Sequence, residues 1–431
     1  MPAYNVHTHI FTMQNAPEKF LHLYMPGFLA DAVDNITNTR FGAWAVKKLL
    51  SLGGNGSKRY ATFLDIGKSN NQAEVFEKLL TLYPDKEVKF VALTMYMEAC
   101  GAGNSSSGFE GQLQEIINLK KRYPDRLIIF LGVDPRWKSS GTALRDEIIR
   151  RFETEIDVGN GRKVYPFAGL KLYPSTGFFV FDERLKPTFE WAAENQVPIM
   201  SHCSYLGGIY NNDQKYLKTV LNTPDPYTNS VSGRGFIPAK NFIKYIGGQQ
   251  ASGENKINSS YFLEPNSYYS LLKYFSDKDA DKPLKLCLAH FAGDDEILRN
   301  SGTGKAYKDL KNEPFCAVPA GAIAGAHMTN WFDQVQALLI KFKGTYTDIS
   351  YTLYNPDVTD LLLSELQNPN YGDRILFGTD FFMTEKEQSE TDTYNYFKQA
   401  ATVASASGND LWKKIAETNA ENYLTSKYYK P

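Results

Sequence analysis

The composition and charge of the chain indicate a globular protein. Of its 431 residues, 42% are hydrophobic and 22% are charged, and the formal net charge is −1 at pH 7. Such a balance, without a long run of one sign, argues against nucleic acid or an anionic membrane surface as the main partner, because both require a basic face. No apolar run approaches the roughly eighteen residues of a membrane span, and no leader-like segment opens the chain, so we expect a cytoplasmic protein.

Eight short apolar runs predict β-strands. Several are nearly continuous in apolar or β-branched residues, as is typical of parallel strands buried on both faces. In chain order they cover residues 4–10, 88–96, 127–133, 167–173, 197–202, 284–290, 345–351 and 374–380. The amphipathic stretches between them predict helices over residues 72–82, 111–122, 142–152, 186–195, 268–275, 331–342 and 358–366. This alternation favours either a closed barrel or a doubly wound sheet.

The positions of ionisable residues favour the barrel. They fall at the C-terminal ends of the predicted strands, which form the chemical rim of barrel enzymes, and no glycine-rich phosphate turn follows the first strand. We therefore predict an α/β fold, a (β/α)₈ TIM barrel forming a single domain over residues 1–431, with long insertions after strands one and five. Residues 205–262 of the second insertion are polar and weakly periodic. They predict either a lid over the barrel mouth or an ordered surface or oligomer-contact segment.

A set of histidines and one carboxylate predicts a metal site. In the first strand, alternation places His7 and His9 on one face, and neutral imidazole is a common ligand of zinc and similar ions. His202 ends the fifth predicted strand and Asp380 ends the eighth. Three histidines and an acid form a suitable nitrogen and oxygen donor set with room for a water. The alternative is that each residue is structural and hydrogen-bonded.

Taken together, these motifs resemble the amidohydrolase superfamily. HxH on the first strand, His ending the fifth and the sixth, and Asp ending the eighth follow the order of that superfamily. The phrases GLKLYP, VPIMSHCS, LKLCLAHFAG and ILFGTDFF are similar to the amidohydrolase-related branch that contains aminocarboxymuconate semialdehyde decarboxylase. The resemblance covers all eight predicted strands.

The resemblance implies a role for each matching residue. His7, His9, His202 and Asp380 would bind one divalent metal ion, with zinc expected first and manganese or iron as alternatives. His290 would be the catalytic histidine and would move protons together with Asp380, since an imidazole can take up or return a proton near neutral pH. Its alternative role is as a ligand of a second metal, as in the binuclear members.

Three further residues are expected to contact substrate. Lys171 lies where binuclear members carry a carboxylated lysine, but in the branch resembled here it is not usually a ligand. Its alternative is an ion pair with Asp380 or another rim acid. Tyr173 shares the same face, with simple packing as its alternative. Arg136 offers a planar fork for a substrate carboxylate, and its alternative is an ion pair with Asp134.

Some other polar residues are not assigned to the chemistry. Asn5 stands where the family often carries Asp, and alternation places it on the histidine face but deeper, where its amide could orient a ligand. His22 and His327 are expected to be structural. Cys203 has no visible base partner, so a nucleophilic role is not expected. The cysteines lack CxxC pairing, which predicts reduced thiols and no thiolate zinc site.

Three functions are compatible with these residues. The leading hypothesis is a metal-dependent hydrolase in which metal-bound hydroxide attacks an amide, ester or lactone carbonyl of a small organic substrate. The second is a metal-dependent non-oxidative decarboxylase of a small unsaturated or aromatic carboxylic acid, which would use the same ligands. The third is a small-molecule-binding barrel without activity, against which the full histidine and acid set argues. A small molecule is the expected partner, and the branch resembled here commonly forms homodimers.

Overall fold

The computed structural model describes residues 2–18, 62–63, 65–204, 219, 223, 225–228, 262–302, 330–405 and 409–431. His22, His327, Cys316 and most of the predicted lid lie outside these residues. Within the second insertion, residues 225–228 pack against the flanking helical segments. There Lys186 Nζ donates to the Pro226 carbonyl over 2.7 Å, and Ser270 Oγ donates to Asp225 Oδ2 over 3.0 Å.

Eight parallel strands of the described chain form one sheet, and each strand pairs with its neighbours in chain order. They are β1 (Tyr4–Thr8), β2 (Lys89–Leu93), β3 (Leu127–Val133), β4 (Phe167–Leu172), β5 (Ile199–Ser201), β6 (Leu286–Leu288), β7 (Thr345–Asp348) and β8 (Ile375–Leu376). The last strand returns to the first, where Thr8 forms a parallel bridge with Phe381 and Val6 N donates to the Phe377 carbonyl over 2.9 Å. The sheet therefore closes, and the predicted (β/α)₈ barrel with long segments after β1 and β5 is confirmed.

Helices surround the barrel. In the described residues they are α1 (Gln72–Leu82), α2 (Gly108–Arg122), α3 (Gly141–Glu153), α4 (Lys186–Glu194), α5 (Tyr269–Lys278), α6 (Asp294–Asn300), α7 (Trp331–Lys341), α8 (Thr359–Leu366), α9 (Glu390–Ala404), α10 (Leu411–Lys413) and α11 (Asn419–Leu424). Seven of these described helices, α1–α5, α7 and α8, lie at the predicted places. Side chains of Asn71, Ser140, Asn330 and Ser389 cap α1, α3, α7 and α9 by accepting backbone N–H groups. Among the described helices, none combines the length and the apolar character required to cross a bilayer.

Two clusters of buried side chains show which face of each strand is inside the barrel. Val91, Leu93 and Phe130 belong to the smaller cluster, whereas their strand neighbours pack outward against the helices in the larger one. Tyr423 of α11 also belongs to the smaller cluster, and its ring lies 5.0 Å from that of Tyr346 near the start of β7. The C-terminal helix thus closes the N-terminal end of the barrel, which leaves the opposite end for a functional site.

Candidate metal centre

A bulge in β1 directs the side chains at the start of the site. The pairing of β1 with β2 shifts between Asn5 and Thr8, so regular alternation does not continue through the strand. Asn5 points outward, where its Nδ2 lies 2.8 Å from Tyr83 Oη and 3.3 Å from Glu390 Oε1 in the helical layer. The expectation that Asn5 shares the inner face of the histidines is wrong, because the bulge changes the order of faces. Its Oδ1 instead accepts the backbone N–H of His7 over 3.2 Å.

Three of the predicted ligands meet at the C-terminal end of the barrel. His7 Nε2 lies 3.4 Å and His9 Nε2 lies 3.2 Å from the same oxygen, Oδ1 of Asp380. One ligand atom from each residue lies within 4.8 Å of the other two, and all three side chains are buried. Asp380, four residues after the end of β8, adopts a left-handed backbone with φ of 62°, and its backbone N–H donates to the His7 carbonyl. This conformation is strained for a residue other than glycine and is common at functional sites.

The hydrogen bonds of the two histidines determine which ring atoms remain free. His7 Nδ1 lies 3.0 Å from Asp348 Oδ2, and His9 Nδ1 lies 3.3 Å from the Leu93 carbonyl. Both partners accept only, so each Nδ1 carries a proton, and Nε2 is the ring atom that faces Asp380 in both histidines. Burial, with the Lys171 charge nearby, lowers the pKa of His7 to about 3, which keeps its ring neutral.

The donor set therefore fits a divalent cation. Burial opposes ionisation of Asp380, but its hydrogen bond with His9 and the adjacent His7 ring lower its pKa to about 2, so an anionic oxygen faces the two ring nitrogens. A divalent ion that displaces the proton shared by these atoms would be attracted by the carboxylate and bound by both ring nitrogens. Neutral imidazole nitrogens and a carboxylate oxygen are the ligands that zinc takes at catalytic sites, where it keeps a position open.

Asp348, the last residue of β7, was not among the predicted site residues. Its side chain is fully buried, and besides His7 it accepts the backbone N–H of His290 over 3.1 Å. Ser350 adds to this group, because its Oγ donates to Asp348 and lies 3.0 Å from His7 Nδ1 and 2.9 Å from His290 Nδ1. Asp348 stands in the middle of the predicted strand 345–351, so the rule that selects acids at strand ends points to it only once the observed end of β7 is known.

His290 and His202 form a hydrogen-bonded pair beside these ligands. His290 Nδ1 lies 3.0 Å from the Ser350 carbonyl, so it carries the proton, and His290 Nε2 accepts from His202 Nδ1 over 2.8 Å. His202 Nε2 in turn accepts from Ser204 Oγ over 3.1 Å. In the structure His202 contacts His290 and lies outside the group formed by the other three predicted ligands.

Lys171 and Tyr173 both adjoin this cluster. The Lys171 ammonium is buried and lies 3.5 Å from His7 Nε2. Burial lowers the pKa of Lys171 to about 8, while the carboxylates of Asp380 and Asp348 act in the opposite direction. The Tyr173 ring meets the His202 ring edge-on, with centroids 5.0 Å apart.

Arg136 forms the ion pair that was the alternative to substrate binding. Its Nε and Nη2 donate to the two oxygens of Asp134 over 2.8 and 2.6 Å, and Nη2 also reaches the Thr176 carbonyl over 3.1 Å. The guanidinium further lies 5.8 Å from the ring centroid of Phe178. These contacts fix the loop after β3, and a contact between Arg136 and substrate stays a prediction.

No family model and no curated protein matches the chain. Among solved structures, the chain is similar to 5-carboxyvanillate decarboxylase LigW from Sphingomonas paucimobilis, with 12% identity, a TM-score of 0.45 and 99% of each chain covered. It is also similar to the uncharacterized TIM-barrel protein Bb4693 from Bordetella bronchiseptica, with 14% identity, a TM-score of 0.44 and 98% of each chain covered. An amidohydrolase from Burkholderia multivorans with bound zinc matches at 9% identity and a TM-score of 0.42, covering 81% of this chain and 88% of that one.

Proposed function

We propose that the chain is a metal-dependent hydrolase of the amidohydrolase type, acting on an amide, ester or lactone of a small organic molecule. One observation carries this proposal: His7 Nε2 and His9 Nε2 converge on Asp380 Oδ1 in a buried site at the C-terminal end of a barrel. That end of the fold carries the chemistry in barrel enzymes. The order of the site residues along the chain, which resembles the amidohydrolase superfamily, supports the reaction class.

His7, His9 and Asp380 would hold one divalent ion, and we propose His202 as a fourth ligand and zinc as the ion, with manganese or iron as alternatives. A bound ion would polarise a carbonyl oxygen as a Lewis acid and would lower the pKa of a water molecule. For His202 to serve, its ring must exchange the hydrogen bond to His290 for the ion.

The remaining residues would supply proton transfer and binding of the substrate. His290 Nε2 is an unprotonated imidazole nitrogen at the mouth of the barrel, so it can take up a proton from the reacting groups and return it to the leaving group. Lys171 and Tyr173 lie on either side of the histidine cluster, where an ammonium and a phenol can orient a polar substrate. Sequestration of these groups from water strengthens each of their electrostatic interactions.

Decarboxylation is the second candidate, and one observation favours it. The buried Lys171 ammonium, 3.5 Å from His7 Nε2, is a cation that can pair with a substrate carboxylate at the site. Arg136, the other cation considered for that role, is already paired with Asp134. The metal-loaded protein should be assayed with lactones, amides, esters and unsaturated or aromatic carboxylic acids. Release of carbon dioxide without hydrolysis would replace the first proposal with the second.

Metal analysis tests whether either enzyme proposal holds. Protein purified without chelators should contain zinc, manganese or iron near one equivalent, or should take it up on reconstitution. Less than about a tenth of an equivalent, with no gain on reconstitution, would contradict both proposals and favour a binding barrel without activity. His202→Ala should lose metal and turnover, whereas His290→Ala should keep metal and lose turnover. Loss of metal from His290→Ala would favour a second-metal role for His290.

We also propose that residues 1–431 form one domain, that the protein works in the cytoplasm and that it forms a homodimer, the last because the branch resembled here commonly does so. A lid formed by residues 205–262 belongs to the same set of proposals. Light scattering with size-exclusion chromatography measures the oligomeric state directly. A monomer across the accessible concentration range would contradict the dimer without affecting the metal site.

A further inference from the structure

Every group that faces the carboxylate of Asp348 is a hydrogen-bond donor. Its Oδ2 lies 3.0 Å from His7 Nδ1 and 3.8 Å from Cys287 Sγ. Its Oδ1 accepts the backbone N–H groups of His290 over 3.1 Å and of Ser350 over 2.9 Å, and also the Ser350 hydroxyl. The side chain is fully buried, so these protein donors replace water. An ionised carboxylate satisfies all of these donors, because it accepts hydrogen bonds through both of its oxygens.

The Oδ2 side of Asp348 determines the tautomer of His7. His7 Nδ1 lies 3.0 Å from Asp348 Oδ2, whereas Nε2 lies 3.4 Å from Asp380 Oδ1 and faces the Lys171 ammonium, a donor. The proton of the neutral ring is therefore on Nδ1, and the Nε2 lone pair is available on the opposite edge. If Nε2 carried the proton instead, no lone pair would point toward a cation. Metal-ligating histidines in general use their second nitrogen in this way, which fixes both ring orientation and tautomer.

The Oδ1 side of Asp348 supports the backbone at His290. His290, Phe291 and Ala292 have φ values of 72°, 45° and 70°, so three successive residues other than glycine are in the left-handed region. Such a turn persists only where the surroundings hold it. The hydrogen bond from His290 N to Asp348 Oδ1 and the bond from Thr352 Oγ1 to the His290 carbonyl, over 2.6 Å, hold it from both sides.

We propose that Asp348 is a positioning residue for two functions at once: it prepares His7 to bind the cation and holds His290 in place for proton transfer. A single carboxylate on β7 thereby connects a ligand from β1 with the proton-transfer residue that follows β6. This inference rests on the proposed function for the identity of the cation site. The hydrogen-bonding geometry that carries it is independent of the reaction catalysed.

Asp348→Asn is the decisive variant because it keeps the size of the side chain and changes one acceptor into a donor. If the amide nitrogen faces His7, the proton must move from Nδ1 to Nε2. If it faces His290 and Ser350, two backbone N–H groups lose their acceptor. In both orientations we expect metal affinity, measured by competition with a chromophoric chelator, to fall about 10- to 100-fold.

Glu296→Gln is the matched control. Glu296 is as completely buried as Asp348, and it accepts the Trp331 N–H over 2.7 Å and pairs with Arg299 one turn along α6. Glu296→Gln should lower the free energy of unfolding and leave metal affinity within about twofold of the native value. Equal losses of affinity in both variants would show that Asp348→Asn acts through general destabilisation, which would overturn the proposal.

A second measurement requires no variant of Asp348. Histidine ¹⁵N chemical shifts of the metal-free native protein, assigned by comparison with His7→Gln, report which nitrogen of His7 carries the proton. We expect the Nδ1–H tautomer, and an Nε2–H tautomer would overturn the inference. If the native protein shows the Nδ1–H tautomer but binds no metal, the proposed function fails and the positioning of His7 stands. If the native protein and Asp348→Asn bind metal equally well, the positioning role fails and the proposed function stands.

Discussion

A Cβ atom placed on Gly378 would lie 2.7 Å from the Cβ of His7 and 3.2 Å from its backbone nitrogen. Gly378 follows β8, and because it has no side chain this segment can approach β1 closely at His7, a proposed metal ligand. The third neighbour of that Cβ position is the Cβ of Ser350 at 3.2 Å. A change of side-chain rotamer cannot move Cβ or backbone atoms, so the backbone at His7 would have to shift.

Gly378→Ala should therefore impair the metal site. We expect metal affinity, measured by chelator competition, to fall about tenfold or more. A loss of this size is typical when a hydrogen bond that orients a metal-binding histidine is removed. Gly111→Ala on α2 is a suitable control, because the added Cβ meets mainly the side chain of Ser107 at 3.2 Å. Unchanged affinity in Gly378→Ala would contradict the tight contact described above.

Glu390 should make stability depend on pH. Burial raises its pKa from 4.5 to about 7, although hydrogen bonds from Thr379 and Tyr83, over 2.6 and 2.5 Å, act in the opposite direction, and Glu385 and Asp380 add to the rise. Because the folded-state pKa is the higher one, the stabilisation is fully present below pH 4.5 and is lost as the pH rises through 7.

Glu390→Gln removes this titration while keeping the shape of the protonated acid. Between pH 5 and pH 8 the native protein should lose up to about 3 kcal/mol of unfolding free energy relative to Glu390→Gln. Urea unfolding of both proteins at each pH measures the difference. A constant difference across this range would show that Glu390 titrates equally in the folded and unfolded chains.

Arg136 is expected to act on stability more than on substrate affinity. Asp134 is buried with 1% of its surface exposed, so Arg136→Ala would leave its charge without the guanidinium and should cost about 3 to 5 kcal/mol of unfolding free energy. The double variant with Asp134→Ala should recover part of this loss, because it removes the unpaired charge. An increase in KM with unchanged stability would instead favour the substrate role predicted from the sequence.

Lys171→Met separates binding of substrate from binding of metal. Removing an ammonium 3.5 Å from His7 Nε2 takes away a charge that repels a cation, so metal affinity should stay the same or increase. Turnover should fall about tenfold or more if Lys171 orients the substrate. Lys120→Met is the control, since this buried lysine donates to the Pro124 carbonyl over 2.7 Å at a site away from the histidines. A native mass increased by one carbon dioxide, or two metal ions per chain, would contradict the single-ion proposal.

The fold could be predicted because its signals are local. The spacing of apolar residues gave α1 with the same bounds that the structure shows, Gln72–Leu82, and it placed α7 to within one residue of Trp331–Lys341. Strand ends were less predictable. The predicted fifth strand, 197–202, is observed as Ile199–Ser201, two residues shorter at its start and one at its end.

The candidate site was predictable in its residue types and less so in its contacts. His7, His9 and Asp380 come together because the C-terminal ends of parallel strands share one rim. The outward position of Asn5 depends on a bulge that the alternating pattern does not reveal. The pairing of His202 with His290 depends on side-chain rotamers, and the role of Asp348 depends on which backbone N–H groups happen to surround it.

The closure of the barrel gives the proposed ion a second effect. His7 comes from the first strand and Asp380 follows the last, so the two residues stand on opposite sides of the seam where the sheet joins itself. A cation bound by both residues would stabilise the closed barrel, because its binding free energy is gained only when the first and last strands are joined. Amide exchange along β1 and β8 should then slow as the metal concentration rises. The supply of metal would govern the lifetime of the folded protein as well as its rate of turnover.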